Sequence, residues 1–332
     1  MDEKHNEIFR QYNLKVFNMY RARGAFILET NQGIKLLKSF DGSPNHLEFE
    51  YKIKKNLWEQ GYENTDMVLR NELGELITQD SVGSRYVLKN WFVGDECNLR
   101  SLDDVIRATK NLAQIHLYLQ EVTLTQEEVD CNHQGNVIEL YEKHNRELKR
   151  VRSYVREKKK KNEFETCFLT LFDLFYEQAI DAVDALSQSQ YKCLLECSYK
   201  ACSVNHGNYN YHNIIFMKEQ CATVNFEKAN IGLQLYDLYQ LLRKTMEKNN
   251  WQLQYGNRVI EEYCKIRELS KEECHILYIS LLYPEKFWKV VNFYYNNKKS
   301  WMSQRNIVKL KSLYDQQKEK EIFLRDYQTH YM

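Results

Sequence analysis

Proline and glycine are scarce. Two Pro and 11 Gly in 332 residues leave few helix breakers, and long helices are expected over much of the chain. No Pro-rich or Gly/Ser-rich stretch marks a linker, and no internal repeat is visible. An apolar run long enough to cross a bilayer is also lacking, and MDEKHNEIFRQ at the N-terminus has no signal-peptide pattern. A soluble protein synthesised in the cytoplasm, with no membrane insertion, is the expectation. Neither sign of charge dominates. The 47 Lys and Arg against 46 Asp and Glu give a net charge of +1, which provides no global attraction for nucleic acid. The nine Cys are odd in number and too few for a disulfide scaffold. Cys193, Cys197 and Cys202 lie close together but without the paired C-x-x-C spacing of a zinc site, so free and mostly buried thiols are expected.

Hydrophobic residues at 43% and charged residues at 28% describe a packed globular protein. At 332 residues the chain exceeds one minimal core and suggests two domains or one two-lobed domain. The first third reads as mostly strand. VFNMYRARGAFILET and QGIKLLKSF flank a turn at Asn31-Gln32-Gly33. Residues 44–60 are helical, with Leu47, Phe49, Ile53, Leu57 and Trp58 on an apolar stripe and Gly61 as a stop. MVLRNELGELITQD and SRYVLKNWFV read as further strands, with Glu72-Leu73-Gly74 as a turn. After Gly94, SLDDVIRATKNLAQIHLYLQ is an amphipathic helix with Ser101 as its N-cap, and helix continues to about residue 200. The basic run within residues 146–161 reads as a solvated helix end, or alternatively as a contact for an acidic partner. The resulting expectation is an α+β fold. Residues 1–93 form an antiparallel sheet with one helix, and residues 94–332 form a mainly helical lobe with a loop segment at 203–230.

Three separated pieces fit one chemistry. Lys38 stands on a strand, where a lysine can hold nucleotide phosphates if a Glu of the next helix steadies it; Glu48 and Glu50 are available. SVNHGNYNYHNIIF, residues 203–216, has the form of a catalytic loop. In phosphoryl transfer a loop Asp orients the acceptor hydroxyl, and an Asn five residues on binds a metal ion. Here Asn208 holds the first position and Asn213 the second. The third piece, TVNFEKANIG, is a strand end where a metal-binding Asp belongs. It presents Asn225, with Glu227 two residues on, on the same side if the strand continues.

These motifs resemble the aminoglycoside phosphotransferase and choline kinase group of protein-kinase-like folds. More narrowly, they resemble spore coat proteins of the CotS type. The resemblance rests on Gly33 with Lys38, YVLKNWFVGDEC, NLAQIH, HGNYNYHNIIF and VNFEKANIGLQLYDLYQLLRK. It implies a two-lobed fold with a nucleotide cleft, ATP and Mg²⁺ as cofactors, a place in the spore coat, and other coat proteins as partners. By this resemblance Lys38 and Asn213 would contact nucleotide, while Asn213, Asn225 and Glu227 would be the metal positions. Asn208 would stand at the catalytic position, and His206 and Asp237 would brace the loop.

Two departures bear on activity. Both expected aspartates are amides, and an amide neither takes a proton at neutral pH nor brings charge to a metal. Gly24 is also the only glycine between Val16 and Gln32, so a glycine-rich phosphate loop is missing. A non-catalytic coat scaffold is therefore expected. The alternatives are an active phosphotransferase on a small molecule or coat protein, and a nucleotide-binding sensor.

Overall fold

The computed structural model describes residues 3–120, 122–296 and 303–332. The chain divides into two compact units, Met1–His133 with Ala201–Leu241, and Gln134–Lys200 with Leu242–Met332.

The first unit opens with helix α1 (Glu3–Arg10), which the sequence pattern did not suggest. Strands β1 (Val16–Ala22), β2 (Ala25–Thr30) and β3 (Gly33–Ser39) follow, then helix α2 (Pro44–Glu59), β4 (Thr78–Gln79) and β5 (Arg85–Asn90). The sheet is antiparallel in the order β1-β2-β3-β5-β4. Arg23 and Gly24 join β1 to β2 with φ of 47° and 79°. Positive φ at both central residues is the two-residue turn whose twist matches a hairpin, and glycine takes it without strain.

Alternation along the strands sorts side chains onto two faces. Leu28, Leu37 and Leu88 pack with Ile8, Phe9 and Tyr12 on one face. Ala25, Ile27 and Leu36 lie on the other, as does Val87, which joins Leu47 of α2. The strand expected over residues 67–80, broken by a turn at Glu72-Leu73-Gly74, keeps the turn and is otherwise reduced to β4. The Asn71 side-chain oxygen accepts from the Leu73 and Glu75 N–H groups at 3.0 and 2.9 Å, which folds this segment into a turn.

The rest of the unit contains β6 (Asp95–Glu96), helices α3 (Leu102–Tyr118) and α4 (Gln126–Cys131), and the segment from residue 201. The Ser101 hydroxyl caps α3 by accepting from Asp104 N–H. In the returning segment β7 (Val204–Asn205) pairs with β10 (Asn230–Ile231), and β8 (Ile214–Met217) forms a hairpin with β9 (Gln220–Thr223). Helix α8 (Leu235–Lys248) follows.

The second unit is helical: α5 (Val137–Glu157), α6 (Glu163–Gln188), α7 (Tyr191–Lys200), α9 (Leu253–Cys264), α10 (Lys271–Leu282), α11 (Glu285–Asn296), α12 (Ser303–Asp315) and α13 (Gln317–Tyr331). Phe164, Phe168, Phe172 and Phe175 of α6 recur at helical spacing and form one core with Phe287, Val291 and Leu310. The basic run lies at the end of α5 and in the connection beyond it. Arg152 pairs with Asp173 and Lys158 with Glu165, both at 2.6 Å. All nine cysteines are free, but only Cys97 and Cys274 are buried, fewer than expected. No helix among the described residues is long and apolar enough to cross a membrane.

Candidate functional site

A cavity of ≈ 820 Å³ lies in the first unit between the sheet and the segment that carries the loop. Strand register explains its cationic side. Lys38 stands opposite Val87, and Lys89 opposite Leu36. Opposed residues of an antiparallel pair share a face, so Lys38 and Lys89 are diagonal neighbours on the face of Leu36 and Val87.

The partner of Lys38 is neither of the glutamates named from the sequence. Glu48 pairs with Arg70 at 2.9 Å. Glu50 pairs with Lys54, one helical turn on, and with Lys89 at 2.9 Å. Both Glu50 and Lys54 stand on the buried side of α2, so their charges meet each other. Lys38 Nζ instead donates to both carboxylate oxygens of Glu227 at 2.7 Å. Glu227 also lies 3.3 Å from Lys89, and Asp66 lies 2.7 Å from Lys54 and 3.5 Å from Lys89. Lys38, Lys54 and Lys89 thus face Glu50, Asp66 and Glu227, and the network is neutral.

Burial alone would raise the Glu50 carboxyl, but Lys54 and Lys89 outweigh it and bring it down to about 2. Burial would likewise raise Glu227, and Lys89 and Lys38 hold it below the usual range. Lys89 is opposed by burial, yet Asp66, Glu50 and Glu227 hold it well above the ordinary lysine value.

The loop is braced from beneath. Gly207 has φ 71°, and a Cβ there would stand 1.9 Å from the Lys228 carbonyl oxygen, so only glycine fits. His206 is fully buried, with Nε2 3.1 Å from the Val224 carbonyl and Nδ1 3.2 Å from the Asn208 N–H. One neutral tautomer satisfies both contacts, and burial, only partly opposed by Asp237, lowers its pKa. Asp237, near the start of α8, is buried and accepts from the His206 backbone N–H at 2.6 Å, with His116 Nε2 at 3.3 Å. Asp237→Ala should lower stability by about 1–3 kcal/mol by leaving buried donors unpaired. Chemical denaturation would measure this, and an unchanged midpoint would count against it.

The three amides form a chain. The β8–β9 hairpin pairs Ile214 with Thr223, and Val224 N–H continues the ladder to the Asn213 carbonyl at 2.9 Å. That step brings Asn225 Nδ2 to Asn213 Oδ1 at 2.9 Å. Asn213 Nδ2 donates to the Asn208 backbone carbonyl at 2.9 Å, and Asn210 donates to the Asn208 side chain at 3.0 Å. Asn225 has φ 64°, and its N–H donates to Asp66 at 3.1 Å. The strand ends at Thr223, so alternation does not place Glu227. A turn closed by Ala229 N–H to the Phe226 carbonyl does, with His46 of α2 at 3.0 Å from the Glu227 carbonyl.

A second charged group stands at the mouth of the cavity. Glu96 contacts Arg23 of the β1–β2 turn at 2.5 Å and His212 at 2.6 Å. Burial would raise the Glu96 carboxyl, but the bonds from His212 and Arg23 outweigh it and hold it low. Among the described residues, Glu96 and Glu227 are the only carboxylates lining the cavity, and each is already held by two partners. Asn213 Oδ1 accepts from Asn225, which turns an N–H₂ group toward it. This donor set does not fit a divalent cation, which needs oxygen ligands with charge.

Sequence reasoning missed Lys54, Asp66, Lys89, Arg23, Glu96 and His212. For Lys89 and Lys54 a signal existed: each shares strand parity or helical spacing with core residues. Asp66 lies in an irregular connection and gave none.

Comparisons with known proteins agree with this geometry. The family model described as "Spore coat putative kinase YutH" matches residues 5–327. Spore coat protein S of Bacillus subtilis (strain 168) is 21% identical over 316 residues, covering 91% of this chain and 86% of that protein. Among solved structures, an aminoglycoside phosphotransferase from Alicyclobacillus acidocaldarius superposes with a TM-score of 0.85 at 17% identity, covering 97% of this chain and 94% of the other. An AMP-bound spectinomycin phosphotransferase, APH(9)-Ia, gives a TM-score of 0.70 at 13% identity over 97% of each chain. At such identities the likeness shows the fold, which is the α+β protein-kinase-like fold of the aminoglycoside phosphotransferases.

Proposed function

The chain belongs to the YutH family of spore coat kinase-like proteins, and on that premise we propose that it is a non-catalytic structural or assembly protein of the spore coat. It would be made in the cytoplasm and would work through its surface, with other coat proteins as partners. Residues 1–93 and 94–332 would correspond to the two lobes of a kinase-like fold that has kept its cleft without its chemistry.

One observation carries this reading: the groups at the reacting positions already have partners within the chain. Asn225 donates to the Asn213 side chain, Asn210 donates to the Asn208 side chain, and Glu227 is held by Lys38 and Lys89. Asn208 can still orient a hydroxyl but cannot take its proton, and loss of general-base help costs about 10²–10⁴-fold. His206 and Asp237 act only as braces in this scheme.

The test is phosphate release and transfer from γ-labelled ATP by the purified full chain with Mg²⁺ or Mn²⁺. No turnover above buffer is expected. Steady transfer that Lys38→Ala and Glu227→Ala both abolish would establish an active phosphotransferase instead.

A further inference from the structure

We infer that the cleft accepts the phosphate tail of a nucleotide without a divalent cation, by exchanging the Glu227 carboxylate on Lys38 for a phosphate oxygen. The inference rests on the non-catalytic reading and specifies what its cleft can bind.

Charge balance is the starting point. Three lysines already face three carboxylates, so a dication would add two positive charges to a neutral network. An incoming anion meets the opposite situation. Lys38 and Glu227 are about one-third exposed, at 36% and 39%, whereas Lys89, Glu50, Lys54 and Asp66 are buried. Glu227 sits on a turn rather than a strand, so its side chain can leave Lys38 while the buried four stay in place. Its departure leaves an ammonium facing the cavity with its anion removed, and a phosphate oxygen restores the balance. Binding therefore amounts to replacing one anion with another.

The neighbouring groups are donors. Asn225 Nδ2 has two hydrogens, and Asn213 takes one of them. Lys228 and Arg23 also line the cavity. Beyond Lys38 the wall becomes apolar through Leu36, Ile27, Ala25, Trp91 and Ile215, which suits a flat aromatic ring next to the anion.

Glu227 gives the inference a test of opposite sign. In a cation-dependent cleft this carboxylate helps, and its loss weakens binding. Here it competes with the ligand, and its loss strengthens binding. Isothermal titration of the full chain with ATP, in EDTA and in MgCl₂, reads the difference. Binding is expected in EDTA, with Mg²⁺ giving no gain. Glu227→Gln should tighten it by about three- to tenfold, the scale of one partly exposed ion pair. Glu227→Asp, which keeps the charge but shortens its reach, should shift binding the same way by less and guards against misfolding of the first variant. Lys38→Met should weaken binding by at least about tenfold. Binding that requires Mg²⁺ and is lost in Glu227→Gln would overturn this inference, while the non-catalytic reading falls only if phosphate is also transferred. Binding in EDTA that Glu227→Gln weakens would overturn the inference. No binding at millimolar ATP by the natural protein or Glu227→Gln would also overturn it, while leaving the scaffold reading in place.

Discussion

Lys54→Met should lower the stability of the first unit by about 3–5 kcal/mol, because it leaves buried carboxylates without their closest cation. Lys54 is fully buried, contacts Glu50 and Asp66, and donates to the Asp66 backbone carbonyl at 2.9 Å. Methionine matches its length and shape, so the main loss is electrostatic rather than a cavity. For a unit of this size the melting temperature should fall by roughly 10 °C, which calorimetry would record. Adding Glu50→Gln should recover part of the loss, since it returns the network to two lysines against two carboxylates. The pH dependence gives a second readout. A carboxyl held down to about 2 contributes stability that is present above its unfolded value of 4.5 and disappears as pH falls toward 2. Without Lys54 the Glu50 carboxyl rises, so acid unfolding should begin at higher pH in the variant. A single variant as stable as the natural protein would show that these charges are screened in a way their burial does not suggest.

This network also marks the limit of sequence reasoning. The strands bearing Lys38, helix α2 and the HGNYNYHN loop could be read from alternation, stripe and spacing, because each is local. The pairing of Lys38 was not local. The nearest helical glutamates, Glu48 and Glu50, were the plausible partners, but α2 turns Glu50 toward Lys54 and Lys89. Glu50 and Lys54 interrupt the 47-50-54-57 apolar spacing, a pattern that ordinarily marks a solvated pair and here marks a buried one. Nothing in Asn64-Thr65-Asp66 distinguishes a buried anion from a loop polar residue, since only the tertiary fold brings Asp66 to Asn225. The Glu72-Leu73-Gly74 turn was legible, but the strands around it shrink because the Asn71 side chain takes the Leu73 and Glu75 N–H groups. The amides were legible as substitutions. That Asn225 bonds to Asn213 was not, because it depends on the β8–β9 register.

Restoring both carboxylates, Asn208→Asp with Asn225→Asp, should give the first measurable phosphate transfer from this cleft. The two changes should not act equally. Asn208→Asp alone supplies a base where no metal is held, and the expected result is no turnover. Asn225→Asp acts on two groups at once. A carboxylate cannot donate, so Asn213 Oδ1 loses the hydrogen bond it now accepts at 2.9 Å and becomes available as a ligand. The new charge lies beside it, and one or two carboxylates with substrate phosphates are what a Mg²⁺ site requires. The first effect should be nucleotide binding that Mg²⁺ strengthens, seen as a metal-dependent thermal shift. With the metal held, the base at residue 208 can contribute, and the double variant should exceed Asn225→Asp in transfer rate by about 10²-fold or more. Lys38→Ala in that background should abolish the gain, which separates chemistry at this cleft from a contaminating kinase. If the double variant binds Mg²⁺ and nucleotide yet transfers nothing, the deficiency lies beyond the two amides. The β1–β2 turn is then the next segment to change, since it covers the cavity with Arg23 and a single glycine where a phosphate-binding loop would be richer in glycine.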